Sequence, residues 1–85
     1  MEEFSFRAQE ELEWWKSSGN MVALKKIRKL IESIQATPFE GIGKPEPLKY
    51  ALTGAWSRRI TDEHRLVYGI KEGVIYILGL KGHYD

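Results

Sequence analysis

The stretch from Ala55 to Leu80, AWSRRITDEHRLVYGIKEGVIYILGL, decides the fold class. It holds three runs suited to strands, Ala55 to Ile60, Arg65 to Ile70 and Val74 to Leu80. Between them stand Thr61-Asp62-Glu63-His64 and Lys71-Glu72-Gly73, short polar segments with good turn chemistry. The spacing therefore predicts a three-stranded antiparallel meander. Residues two apart on a strand share a face. Leu66, Tyr68 and Ile70 should accordingly pack on whatever covers the sheet, with Arg65 pointing the other way. In the first run Trp56, Arg58 and Ile60 share a face and Arg59 lies opposite.

Upstream of the meander the period changes from two to 3.6. Ala8, Leu12 and Trp15 recur at i, i+4 and i+7, and Ser17-Ser18-Gly19-Asn20 ends that helix. Asn20 suits the N-cap of a second helix, in which Leu24, Ile27, Ile31 and Ile34 form the core stripe. Together these predict an αα-hairpin. Of Trp14 and Trp15, one ring should enter the core and the other stay at a rim. Thr37-Pro38 stops the second helix, because the residue before proline is pushed out of the α region. The segment Gly41-Ile42-Gly43-Lys44-Pro45-Glu46-Pro47 has too much Gly and Pro for a central strand and reads as an exposed, shaped connection that holds Glu46 stiffly. Glu2 to Phe6 can add a strand at the sheet edge. The expected class is α+β, two helices packed on a twisted, mostly antiparallel sheet of about four strands.

With 85 residues the chain makes one domain, 1–85, since two cores of half that size would each bury too little surface. No cysteine is present, which excludes a disulfide framework and thiolate metal sites and fits a reducing cytoplasm. No basic and apolar leader follows Met1, and no stretch approaches the roughly 18 apolar residues of a membrane span. The formal net charge is +1, so no global field would draw the protein onto nucleic acid. Residues 44 to 68 carry five Lys or Arg against three Asp or Glu, an excess that matters only if the fold gathers it.

Glu46, Lys49, Arg59, Arg65, His83 and Tyr84 are the residues with chemistry to offer. A carboxylate, an imidazole, two guanidiniums, an ammonium and an aromatic ring match the needs of RNA cleavage by the 2′-hydroxyl. That reaction wants a base for the 2′-OH proton, an acid for the leaving 5′-oxygen and cations facing the transition state. It needs no metal and no cofactor. The ring can stack an unpaired base. Each residue also has an ordinary role. Arg58, Arg59 and Arg65 on an antiparallel sheet are commonly solvent-face residues or partners of acidic neighbours such as Asp62 and Glu63, and His64 suits a satisfied turn histidine. A terminal segment such as Lys81 to Asp85 usually frays. The chain has no Gly-rich phosphate loop, no histidine pair at metal spacing and no serine in an elbow motif.

Residues 37–70, TPFEGIGKPEPLKYALTGAWSRRITDEHRLVYGI, closely resemble the signature of the YoeB toxins, ribosome-dependent mRNA interferases of the RelE/ParE superfamily. TPFEG, KPEPLK, WSRRIT and EHRLVY stand in the family's order and spacing, and the terminal His83-Tyr84 fits as well. The resemblance implies the RelE-like microbial RNase fold, cleavage of mRNA in the ribosomal A site, a YefM-like antitoxin and a homodimer. It implies Glu46 as general base, His83 as general acid, Arg65 and Arg59 on the scissile phosphate, and Lys49 and Tyr84 as substrate contacts. Asp85 extends the usual terminus by one acidic residue. A ParE-like toxin that inhibits a protein target by binding is the alternative, and such a binder needs no Glu46, Arg65 and His83 set. A plain RNA-binding module fits the near-neutral charge poorly.

Overall fold

Short polar side chains at the helix starts shape the first half of the molecule. The computed structural model describes residues 1–49 and 54–82. Ser5 accepts the Ala8 N–H at 3.0 Å and starts α1 (Phe6–Ser18). Gly19, at φ 72°, closes that helix in the left-handed region where a side chain would be strained. Asn20 accepts the Ala23 N–H at 3.0 Å and caps α2 (Met21–Ala36), which ends on extended Thr37 ahead of Pro38.

The stripe that α2 buries differs by a small rotation from the expected one. Ala23, Ile27, Leu30 and Ile34 are buried, while Leu24 and Ile31 are only partly covered. Both sets have helical spacing, and the packing on the sheet selects between them. Trp15 is buried and Trp14 is exposed at the rim, as expected.

Among the described residues the sheet has five strands in the order β1-β5-β4-β3-β2. They are β1 (Glu2–Phe4), β2 (Glu46–Pro47), β3 (Trp56–Arg59), β4 (Arg65–Lys71) and β5 (Val74–Gly79). β1 runs parallel to β5 and the other pairs are antiparallel. The meander matches expectation, the edge strand β1 forms but stops at Phe4, short of the expected Phe6, because Ser5 caps α1 there, and the expected count of about four strands is corrected by β2. This two-residue strand lies at the sheet edge, where Pro47, lacking an N–H, removes no bond from a central ladder. Glu72 and Gly73 join β4 to β5 with φ of 52° and 78°, the positive values that a tight hairpin of this twist requires.

One face of the sheet packs on the helices. Leu66, Tyr68, Ile75 and Ile77 form the main core there with Ala8, Trp15, Ile27, Leu30 and Ile34. The pairing of β4 with β5 slips between Val67 and Tyr68, so that Val67 pairs with Gly79 and Tyr68 with Ile77. The bulge shifts the phase of the chain, and Leu80 returns to the core three residues after Ile77. Among the described residues, the opposite face carries a small apolar cluster of Leu48, Ala55 and Val67.

Candidate active site

The charged residues of the open face are placed by the strand register. Arg59 and Arg65 are direct cross-strand partners, and Glu46 is the partner of Ser57. Partners in an antiparallel pair share a face, so Glu46, Ser57, Arg59 and Arg65 all lie on the side away from the helices. Two like charges placed directly opposite destabilise a sheet, and a fold that retains them holds a local positive field. That field sits one strand from the exposed carboxylate of Glu46.

Arg65 is seated far more firmly than a solvent-face arginine. It is 6% exposed, and its Nε donates to Ser57 Oγ at 2.8 Å. Nη2 donates to the Lys44 carbonyl at 3.1 Å and to the Ser57 carbonyl at 3.3 Å. Nη1 is left without a partner among the described residues. Ser57, fully buried, thus stands between Glu46 and Arg65 and orients the guanidinium. Arg59 keeps its side chain exposed, and its backbone N–H donates to the Gly43 carbonyl at 2.7 Å, tying the Gly-rich loop to β3. Lys49 is exposed, beyond the end of β2. His83 and Tyr84, the remaining expected site residues, lie outside the described residues.

Arg58 departs furthest from the ordinary role of a sheet arginine. It is fully buried on the helix face, and no carboxylate pairs with it among the described residues. Nη1 donates to Ser33 Oγ at 2.7 Å and the Ile42 carbonyl at 3.1 Å. Nη2 donates to the carbonyls of Thr37 at 2.8 Å, Glu40 at 2.9 Å and Pro38 at 3.4 Å. Nε donates to the Tyr68 hydroxyl at 3.2 Å, which in turn donates to the Pro38 carbonyl at 2.7 Å. A buried charge is tolerable only when its donors are satisfied, and here oxygens of the 37–42 segment do this. Arg58 therefore moulds the loop that leads into Glu46. Gly43 passes so close that a Cβ there would lie 2.6 Å from Leu30 Cδ2. The sequence signal was available in the shared phase of Arg58 with Trp56 and Ile60.

The segment leading to His83 is held at both ends of Gly82. Its carbonyl accepts the Arg65 N–H at 3.0 Å, and its own N–H donates to His64 Nδ1 at 2.9 Å. Just before it, the Leu80 N–H donates to Glu11 Oε1 at 2.7 Å and the Leu80 carbonyl accepts from Trp15 Nε1 at 2.7 Å. The Lys81 ammonium lies 4.2 Å from the Trp14 ring centroid. Residues 80–82 are thus anchored rather than frayed, with Gly82 bonded to the Arg65 backbone.

A carboxylate and a fixed guanidinium thus share one face, with Gly82 bonded to the Arg65 backbone. Residues 4–84 match the model of the YoeB-like toxins of bacterial type II toxin-antitoxin systems. The chain belongs to the YoeB toxin family. Toxin YoeB of Escherichia coli K12 is 49% identical over 71 residues, spanning 84% of this chain and 83% of that one. In solved structures the chain is similar to the toxin of a YoeB-YefM complex from Staphylococcus aureus, with a TM-score of 0.89 and 45% identity over 99% of this chain and 97% of that one. A YoeB dimer from the same organism matches with a TM-score of 0.88 and 44% identity over 98% and 95% of the two chains. The family's α+β fold, two helices on a mixed five-stranded sheet, is the one described above. As a YoeB-family protein the chain is a toxin of a type II toxin-antitoxin system. Among the described residues no helix is long and apolar enough to cross a membrane.

Proposed function

We propose that the chain is an endoribonuclease that cleaves mRNA in the ribosomal A site. The observation that carries this reading is the convergence on one open face of Glu46, the Ser57-held Arg65 and the anchored Gly82 that precedes His83. Glu46 takes the proton of the 2′-hydroxyl, and the 2′-oxygen attacks the adjacent phosphorus. The bond from phosphorus to the 5′-oxygen breaks, and the leaving oxygen takes a proton from His83. A 2′,3′-cyclic phosphate and a 5′-hydroxyl result. Arg65 and Arg59 face the charge that builds on the phosphoryl oxygens, where preoriented cations act most strongly. Lys49 and Tyr84 hold substrate, the first through phosphate charge and the second through stacking.

The Staphylococcus aureus relatives form a YoeB-YefM complex and a YoeB dimer. By the same likeness a YefM-like antitoxin and a second copy of the chain are its partners, and ribosome and mRNA its target, in the cytoplasm. The test is primer extension on an mRNA in a purified translation system, with and without ribosomes. Cleavage should need the ribosome and persist when chelator is added at a level that leaves ribosomes intact. Glu46→Gln and His83→Gln should each slow it by about 10²- to 10⁴-fold. Equal cleavage of naked mRNA, or full activity in both variants, would overturn the reading.

A further inference from the structure

The turn Thr61 to His64 holds an imidazole whose use the reaction chemistry leaves open. The turn itself is fixed: the Ile60 and Thr61 N–H groups donate to the His64 carbonyl at 2.9 and 3.1 Å, and the His64 N–H donates to Thr61 Oγ1 at 3.1 Å. The ring packs against Trp15 at 5.2 Å and Trp14 at 5.7 Å between centroids. Its Nδ1 accepts the Gly82 N–H at 2.9 Å, which requires an unprotonated Nδ1 and so places the ring proton on Nε2. Gly82 has a φ of 90° and open space where a side chain would be, so local sterics do little to hold it. Among the described residues two bonds hold it, one to the Arg65 backbone and one to His64.

We propose that His64 is a positioning residue for the reaction: its Nδ1 acts as a hydrogen-bond acceptor that sets where the chain leaves Gly82, and so where His83 and Tyr84 enter the site. This rests on the proposed role of His83 as general acid. A general acid must lie within hydrogen-bond reach of the leaving oxygen, so an ångström of drift at its root costs rate. The two residues on either side of the turn then divide the work. Arg65 faces the phosphate and pins the Gly82 carbonyl, whereas His64 pins the Gly82 N–H from the helix side.

Two substitutions separate the acceptor from the ring. His64→Asn places an amide oxygen where Nδ1 stands and discards the ring. His64→Phe keeps the ring against Trp14 and Trp15 and discards the acceptor. His64→Gln, whose amide reaches only to the Nε2 position, is a second variant without the acceptor. In the free toxin, hydrogen exchange at the Gly82 amide should accelerate at least about tenfold in the Phe and Gln variants and stay near wild type in Asn. In single-turnover cleavage on programmed ribosomes, Phe and Gln should lose about 10- to 100-fold in rate, and Asn should stay within a few-fold of wild type. Wild-type rate in Phe or Gln overturns the proposal, and so does an equal loss in Asn, which would make the ring packing decisive. Gly82 exchange reads the anchor even if the wild-type protein cleaves nothing, an outcome that would sink the nuclease reading alone.

Discussion

Arg58 and Arg65 sit on adjacent strands and on opposite faces of the same sheet, and they differ in how completely their donors are used. On the helix face all three nitrogens of Arg58 donate to protein oxygens. On the open face Arg65 engages Nε and Nη2 and leaves Nη1 without a partner among the described residues. A saturated guanidinium has no donor left for a ligand and can act only as a strut. One that is held by half of its fork is both fixed in place and able to bind, which is what a phosphate-facing cation needs.

The substitution expected to have the largest effect is Arg58→Ala. It removes the Arg58 bonds to the carbonyls of the 37–42 segment and to the Ser33 and Tyr68 hydroxyls and opens a hole in the core. Urea unfolding should show a loss of about 3–5 kcal/mol, a large part of a small domain's stability. Arg58→Lys should restore little, because an ammonium cannot span the same set of oxygens. A loss below about 1 kcal/mol would erase the contrast between the two arginines.

Arg65→Ala should reverse the pattern. Cleavage should fall by about 10²- to 10³-fold in single-turnover assays, while stability falls by only about 1–2 kcal/mol from the lost bonds to Ser57 and Lys44. Arg65→Lys should rescue the rate in part, since it supplies charge without the fork. Equal damage to stability from Arg58→Ala and Arg65→Ala would mean that both are struts.

Gly43→Ala sharpens the contrast from the loop side. The residue has φ 84°, and its new Cβ would press on Leu30 and on the Arg58 Cβ at 3.1 Å, so a loss of about 1–3 kcal/mol is expected. Thermal melting measures it, and a neutral result would show that the loop is not closely packed on Arg58. The smallest effect belongs to Gly69→Ala on the open face, where a Cβ meets nothing within 4 Å. Its melting should shift by an amount worth no more than about 0.5 kcal/mol, and in the stabilising direction because a glycine leaves a strand. A large loss there would show that the open face is more crowded than the helix face.

Much of this architecture was legible because it rests on local chemistry. Asn20 caps a helix wherever it stands before one, Pro38 ends α2 by its own ring, and Gly73 lets the chain reverse through its freedom at positive φ. Period-two alternation put Leu66 and Tyr68 against the helices and Arg59 away from them. The family motifs pointed to Glu46, Arg59 and Arg65, and the register gathers those three on one face.

Tertiary structure decided what depends on partners distant in sequence. Alternation put Arg58 in phase with Trp56 and Ile60, but whether a charge is buried there depends on oxygens 10 to 25 residues away, which no local pattern reveals. The phase slip that returns Leu80 to the core comes from the pairing of β4 with β5, where Leu78 finds no partner. A C-terminal segment frays by default, and residues 80–82 escape that fate because Glu11, Trp15, His64 and Arg65 supply bonds from 17 to 69 residues away. Sequence determines which groups a residue offers and the local path of the chain. The fold determines which groups meet, because hydrogen bonds and burial act only at contact distance.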